Sequence, residues 1–456
     1  MRQMNDSTAS RFPPPLTLLA CSYIAALIAL GGGGTPAPAS ELACQLLAAL
    51  AVLGWLWLMP RGAGQAVPRL ATVTALVVAI PALQLLPLPP ALWQAFPGRA
   101  DLADALDLIG RRDSWHAWSI APQRTLDALL SLGPPLVALA LAGQLDKSGQ
   151  RALLKTIAAM GLLSVLIGAL QLATGGTGPL QFYGDAADAL YGFQANRNSE
   201  ADVLLIALLA LVAAWAGRRG GGRDTWPGVA ALVLLLALGT ALTTSRTGLL
   251  LIPVALLFAA AMIHGRPQAM HLPRWTWAAA LVALLGFALW VWRSPALARV
   301  LARFDFTGEY RIDIWRDTLF AIQRSWPLGT GLGTFTHAIF PAERLEAIGA
   351  SLPNRAHNEL LELALEGGLP ALLCWGLIAV IVLAALRRAL RDMSGSARLP
   401  VLFAAGTLTV TALHSLVDYP FRSMALAGLV GVAAGIVLRA GTAPAPEHSS
   451  HGDGRV

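Results

Sequence analysis

The sequence predicts an all-α, polytopic membrane protein with about twelve transmembrane helices and one large outer helical segment between the ninth and tenth spans. Three observations carry this. Of 456 residues, 56% are hydrophobic and 13% are charged, against roughly 25% charged in soluble domains. The apolar residues fall in runs of about 17–22, long enough to cross ~30 Å of hydrocarbon as helices. Short alternating segments, the mark of a membrane β-barrel, are not the pattern. The composition also excludes a disordered chain, which would be polar and charge-rich. With no fixed period, a collagen-like or coiled-coil rod is excluded too.

The spans are read at 16–32, 41–59, 69–87, 126–143, 152–173, 201–217, 228–243, 247–264, 274–293, 369–387, 399–416 and 423–440. The first is not read as a cleaved leader. It lacks a small-residue cleavage site, and further spans follow at once. The net charge of +7 is scattered through short loops. A nucleic-acid partner would want it gathered on one soluble face. It sets orientation instead. With the N-terminus cytoplasmic, every inner loop is basic: Arg61 and Arg69; Lys147 and Arg151; Arg218, Arg219 and Arg223; Arg266 and Arg274; Arg387, Arg388, Arg391 and Arg398. Both termini are expected inside, and the tail 441–456, with Pro, Ser and His, reads as disordered. Cys21, Cys44 and Cys374 all lie in apolar runs. They read as small core residues rather than disulfide partners or metal ligands.

Three outer segments are substantial: 88–125, 174–200 and 294–368. In the first, residues 101–110 read as a short helix, and Asp101, Asp104 and Asp107 as its solvated face. No Asp-x-Asp metal pair stands out. In the last, GEYRIDIWRDTLFAIQRS (308–325) places Ile312, Trp315, Leu319 and Ile322 on one helical face. This reads as an amphipathic helix at the outer interface. PLGTGLGTF (327–335) is not a G-x-x-x-x-G-K-[ST] loop and reads as a tight turn or close backbone approach. NRAHNELLELALEGG (354–368) reads as a helix feeding the tenth span.

Ionisable residues are almost absent from span centres, where ion-coupled transporters need them. Charge gathers at the outer ends, so a site at the external membrane boundary is expected. Arg246, in TTSRTG (243–248), joins two spans with almost no loop. It is either an interfacial arginine snorkelling to headgroups or a phosphate ligand, since guanidinium binds phosphate oxygens bidentately and keeps its charge. Arg311 is either a solvated residue paired with Asp313 or Glu309, or part of a positive field with Arg303 and Arg316 for an anionic ligand. His357 is either structural or a base that takes the proton of a hydroxyl nucleophile. Asn354, Arg355, Asn358, Glu359, Glu362 and Glu366 surround it. Spacing does not say which carboxylate would orient it.

Taken in order, GFQANRN (192–198), TTSRTG, RIDIW (311–315), PLGTGLGTF, AHNELLELALEGG (356–368) and HSLVDYP (414–420) resemble the O-antigen ligase and polymerase superfamily of bacterial inner membranes. The resemblance covers roughly residues 190–425; the first five spans match in hydropathy only. It divides the chain into an N-terminal membrane part (1–190), a ligase-like core (191–440) containing the outer segment 294–368, and the tail.

The resemblance implies an all-helical glycosyltransferase needing no metal or nucleotide sugar. It would move a glycan from undecaprenyl diphosphate to an acceptor at the periplasmic face. The acceptor is lipid A–core in ligases and another lipid-linked repeat in O-antigen or exopolysaccharide polymerases. In protein O-oligosaccharyltransferases it is a protein. The family's histidine in H-N-x-x-L-x-x-x-x-E-x-G matches His357. Its arginine in the S-R-x-G loop matches Arg246, and its arginine ahead of a Trp in the outer segment matches Arg311. These three are the expected catalytic residues. Arg246, Arg311, Arg316, Asn196, Asn198 and Asn358 are expected to bind substrate. Members often continue past Asn198 with Phe-Ala, where this chain has Ser199 and Glu200.

The chemistry agrees. A lipid diphosphate leaving group concentrates negative charge, which fixed arginines would stabilise. His357 would take the acceptor's proton, direct attack would invert the anomeric centre, and the apolar spans would hold the polyprenyl chain. A lipid-linked glycan flippase would be equally polytopic and basic. It should also show internal repeats and cationic residues along a path through the bilayer, and the sequence shows neither.

Overall fold

The computed structural model describes residues 14–33, 38–58, 68–183, 188–218, 225–264, 310–348 and 352–441. The ninth span (274–293), Arg303, Glu309 and tail residues 442–456 lie outside them. So do Arg61, Arg219, Arg223, Arg266 and Arg274 of the inner loops.

The all-α expectation holds. In chain order the helices are α1 (Pro15–Leu30), α2 (Pro38–Leu58), α3 (Pro68–Gln84), α4 (Pro90–Trp93), α5 (Ala100–Asp107), α6 (Pro122–Ser131), α7 (Gly133–Gln144) and α8 (Lys147–Ala173). There follow α9 (Arg197–Ala216), α10 (Trp226–Leu242), α11 (Arg246–His264), α12 (Tyr310–Ser325), α13 (Phe335–Ile339), α14 (Glu359–Asp392), α15 (Leu399–His414) and α16 (Met424–Ala440). The strands among the described residues are two-residue pieces, β1 (Pro87–Leu88) and β2 (His116–Ala117), paired antiparallel. Seven helical stretches are long and apolar enough to cross a membrane, and α1, α3, α10 and α16 are shorter apolar helices. The chain is a multi-pass membrane protein.

The bundle is built around α9. Every side chain from Val203 to Ala210 is buried, because α8, α10, α11 and α15 surround it. Lipid is as apolar as leucine, so contact between such helices depends on close packing by small residues. The seam between α7 and α16 shows this: a Cβ on Gly431 would stand 2.4 Å from the Pro135 carbonyl oxygen.

On the outer side, α5 forms where a short helix was expected, and Asp101, Asp104 and Asp107 are exposed on it. The face assigned to α12 needs correction. Its inward residues are Ile314, Thr318, Ala321 and Ser325, packed toward α14. Ile312 and Leu319 point out, with Phe320 beside them. Thr318 and Ser325 can face inward because each hydroxyl donates to a carbonyl one turn back, Ile314 and Ala321. Trp315 bonds the Ala356 carbonyl at 2.9 Å, which fixes the helix's rotation. The apolar outward face is the kind that an interfacial helix presents.

The helix expected to feed the tenth span is present as the start of α14. The helix breaks at Gly368, with φ 60° and ψ −158°. The glycine-rich turn causes the break. Thr330 and Gly331 donate backbone N–H groups to the Leu365 and Glu366 carbonyls, and Leu369 N–H to Pro327. A Cβ on Gly368 would lie 2.2 Å from the Pro327 oxygen. The turn's far side meets the first outer segment: Trp118 bonds the Leu328 carbonyl and Thr125 the Leu332 carbonyl. PLGTGLGTF is a close backbone approach joining two outer segments.

Candidate functional site

His357 immediately precedes α14 and has φ +49°. A left-handed non-glycine residue is uncommon and strained, and such strain gathers at functional sites. Among the described residues only Thr244, at φ +55°, shares it. It lies two positions before Arg246, so both strained residues fall in motifs picked out from sequence.

Asn358 holds the turn. Its Oδ1 accepts from the Leu360 and Leu361 N–H groups, and its amide donates to the Leu416 carbonyl at 2.8 Å. The residue expected to bind substrate is therefore a helix cap with its polar atoms committed. Next to it, His357 Nδ1 lies 3.2 Å from Asp418 Oδ1, and Tyr419 packs edge-on to the ring. The Nδ1 contact leaves Nε2 uncommitted to Asp418, and the side chain is 21% exposed.

The carboxylate that meets the His357 ring is Asp418, not one of the glutamates beside His357 in sequence. Burial pushes the Asp418 carboxyl up, but the His357 hydrogen bond and the His414 and Arg311 charges hold it below the usual carboxylate range. Its other oxygen accepts from the Asn198 amide, 220 residues away in the chain. Burial pushes the neighbouring Tyr419 phenol up to about 12, so that ring stays neutral.

Glu359, Glu362 and Glu366 share the other face of α14's first turns. Arg422 donates to Glu362 at 2.9 Å and to Glu366 at 3.1 Å; Arg355 donates to Glu362 at 2.8 Å. Burial works against the Arg422 charge, but the Glu362, Glu366 and Glu359 carboxylates hold it above its ordinary value. The free carboxylate oxygens catch backbone N–H groups: Glu362 that of Ala356, Glu359 that of Phe421, Glu366 that of Phe335. This cluster fixes the chain on either side of His357 and Asp418.

Arg311 donates to the Val417 carbonyl at 2.8 Å, which sets its guanidinium near Asp418. Arg316 points away. It is exposed and pairs with Asp313 at 3.7 Å, because five helical positions turn it from the inward side. Asp313 also meets Arg344 at 2.8 Å.

Asn196 caps α9 through the Asn198 N–H, and its amide reaches the Tyr419 hydroxyl at 3.4 Å. It lines a cavity of about 310 Å³ with Tyr191, Ser199 and Tyr419. Glu200, the departure noted in sequence, is buried and accepts from Ser164 at 2.6 Å. The same Ser164 oxygen holds the Phe193 N–H, so this pair anchors the GFQANRN loop. Arg246 begins α11. A Cβ on Gly248 would lie 2.6 Å from Ala201 Cβ. The first turn of α11 therefore rests on the first turn of α9, where Asn198 and Asp202 stand.

Sequence reasoning missed Asp418, His414 and Asp202. The signal for two of them was the four-residue spacing of His414 and Asp418 in HSLVDYP, read only as a family marker.

Residues 230–376 match a family model described as O-antigen ligase. Over that stretch, 147 of its 456 residues, the chain is similar to the O-antigen ligase family. The match includes Arg246, Arg311 and His357. It is shorter than the resemblance read at 190–425 and leaves out Asn198, His414 and Asp418. No curated protein compared with the chain matches it. The matched family implies a glycosyltransferase-like ligase or polymerase activity in general terms.

Proposed function

We propose that the protein moves a glycan from undecaprenyl diphosphate to an acceptor hydroxyl at the periplasmic face of the inner membrane, with lipid A–core as acceptor and no metal. One observation carries this reading: His357 Nδ1 meets Asp418, and Arg311 is held on the carbonyl of Val417, the residue before Asp418. The acceptor oxygen attacks the anomeric carbon and its proton passes to His357 Nε2. The bond to the diphosphate breaks, and that electron pair leaves with the diphosphate. Arg311 and Arg246 stabilise the charge that develops there. The periplasmic side follows from the basic inner loops.

The lipopolysaccharide ladder of a deletion strain tests the reaction. The expected result is loss of all long chains from lipid A–core, with lipid-linked polymer accumulating. Core carrying a single repeat would make the protein a polymerase. An unchanged ladder would remove both readings.

Arg246→Ala and Arg311→Ala are each expected to lower transfer by roughly 10²–10³-fold at equal protein level. Lysine keeps the charge but not the planar fork, so Arg→Lys should restore only part. Near-normal transfer by both alanine variants would make them interface anchors.

A further inference from the structure

Behind Asp418 lies a second histidine–carboxylate pair that the reaction above does not use. His414, the last residue of α15, places Nδ1 2.7 Å from Asp202 Oδ1 on α9. Its other ring nitrogen, Nε2, lies 3.9 Å from Asp418 Oδ2. Imidazole and carboxylate alternate along a row from His357 through Asp418 and His414 to Asp202. Side-chain exposure falls along it, from 21% to 4%, 1% and 0%.

A histidine–aspartate pair between spans can act simply as glue. Two features point further. His414 Nε2 and Asp202 Oδ2 are buried without a hydrogen-bond partner among the described residues, whereas buried polar groups are normally satisfied. The unpartnered nitrogen is also the one aimed at Asp418. The Asp418 carboxylate is thus flanked by His357 at one oxygen and by Asn198 and His414 at the other. The terminal torsion of a free aspartate is broad, and neighbours on both oxygens narrow it.

We propose that His414 and Asp202 are positioning residues for transfer. They fix the Asp418 carboxylate in the orientation that holds His357 Nδ1, and so keep Nε2 directed at the acceptor. Asp202 sets the rotation of the His414 ring, and the ring closes the space behind Asp418 Oδ2. Neither touches substrate. This rests on the transfer reaction proposed above.

The test uses the full chain in nanodiscs, with His414→Gln and Asp202→Asn made alone and together with Asp418→Asn. Transfer from undecaprenyl-diphosphate glycan is measured across donor and acceptor concentrations. Each single variant is expected to insert in normal amount and to lower kcat by about 10–100-fold, as loss of a supporting outer-shell partner does. KM for both substrates should be unchanged. With Asp418 already replaced, neither should cost anything further. Unchanged kcat in the single variants would overturn the proposal. So would an equal loss in both backgrounds, which is the signature of helix packing alone. If His414→Gln does not accumulate, the near-isosteric Asp202→Asn carries the test; if neither accumulates, the pair is a packing element and the proposal falls. No transfer by the unsubstituted chain would overturn the proposed reaction, and this inference with it.

Discussion

His357→Ala is expected to lower turnover by roughly 10²–10⁴-fold, the usual range for a lost general base, while donor binding survives. The separation follows from the geometry. Arg311 is held by the Val417 carbonyl and not by the imidazole, so the diphosphate ligand stays in place when the ring is removed. Position 357 has φ +49°, which glycine adopts without strain. His357→Gly therefore separates loss of the ring from backbone strain, and should be as inactive as alanine. The wild type should also lose activity on acidification, because a protonated imidazole cannot accept the acceptor's proton. Asp418 does not confuse this profile. Its folded pKa is depressed, so its stabilising contribution is full above the unfolded carboxylate value and is lost only as pH falls through the lower folded value. In vitro transfer and donor binding, measured separately, check this. Normal turnover by the alanine variant would remove His357 from the mechanism, and loss of donor binding would make it a ligand.

Asp418→Asn is the second large effect, on the order of 10²–10⁴-fold in turnover with donor KM unchanged. Asparagine keeps the size but offers an N–H₂ to the imidazole. Nδ1 would then accept, leaving the proton on Nε2, the wrong tautomer for a base. Were the amide turned the other way, its N–H₂ would instead meet the Asn198 amide where that now donates to a carboxylate oxygen, a buried mismatch costing about 1–3 kcal/mol. Protein level must therefore be measured beside turnover. Full activity in a well-expressed Asn variant would show that His357 needs no orienting carboxylate.

The spans were legible because crossing hydrocarbon demands length and apolarity, both one-dimensional properties. The face of α12 was not. Ile312 and Leu319 are as apolar as Ile314, and hydropathy cannot tell a side facing the protein from one facing lipid. His357 stood out through a dense local motif, but spacing left its partner open. The helix turns Glu359, Glu362 and Glu366 toward Arg422, while the residue that meets the ring is Asp418, 61 positions on. Asp202 and His414, 212 residues apart, meet only because α9 and α15 pack together. The short helix α5 needed only local reasoning and formed as read; of the cysteines read as core residues, Cys44 is buried and Cys21 and Cys374 are half-buried.

The bond between Asn198 and Asp418 also has a consequence for biosynthesis. A chain is made and inserted from its N-terminus, so Asn198, Arg246, Arg311 and His357 emerge from the ribosome before Asp418. Until α15 and the turn after it have been laid into the bundle, nothing holds the imidazole. A nascent or truncated product halted before that turn would lack both the Asp418 carboxylate that meets the imidazole and the Val417 carbonyl that holds Arg311. It is expected neither to position donor nor to turn it over.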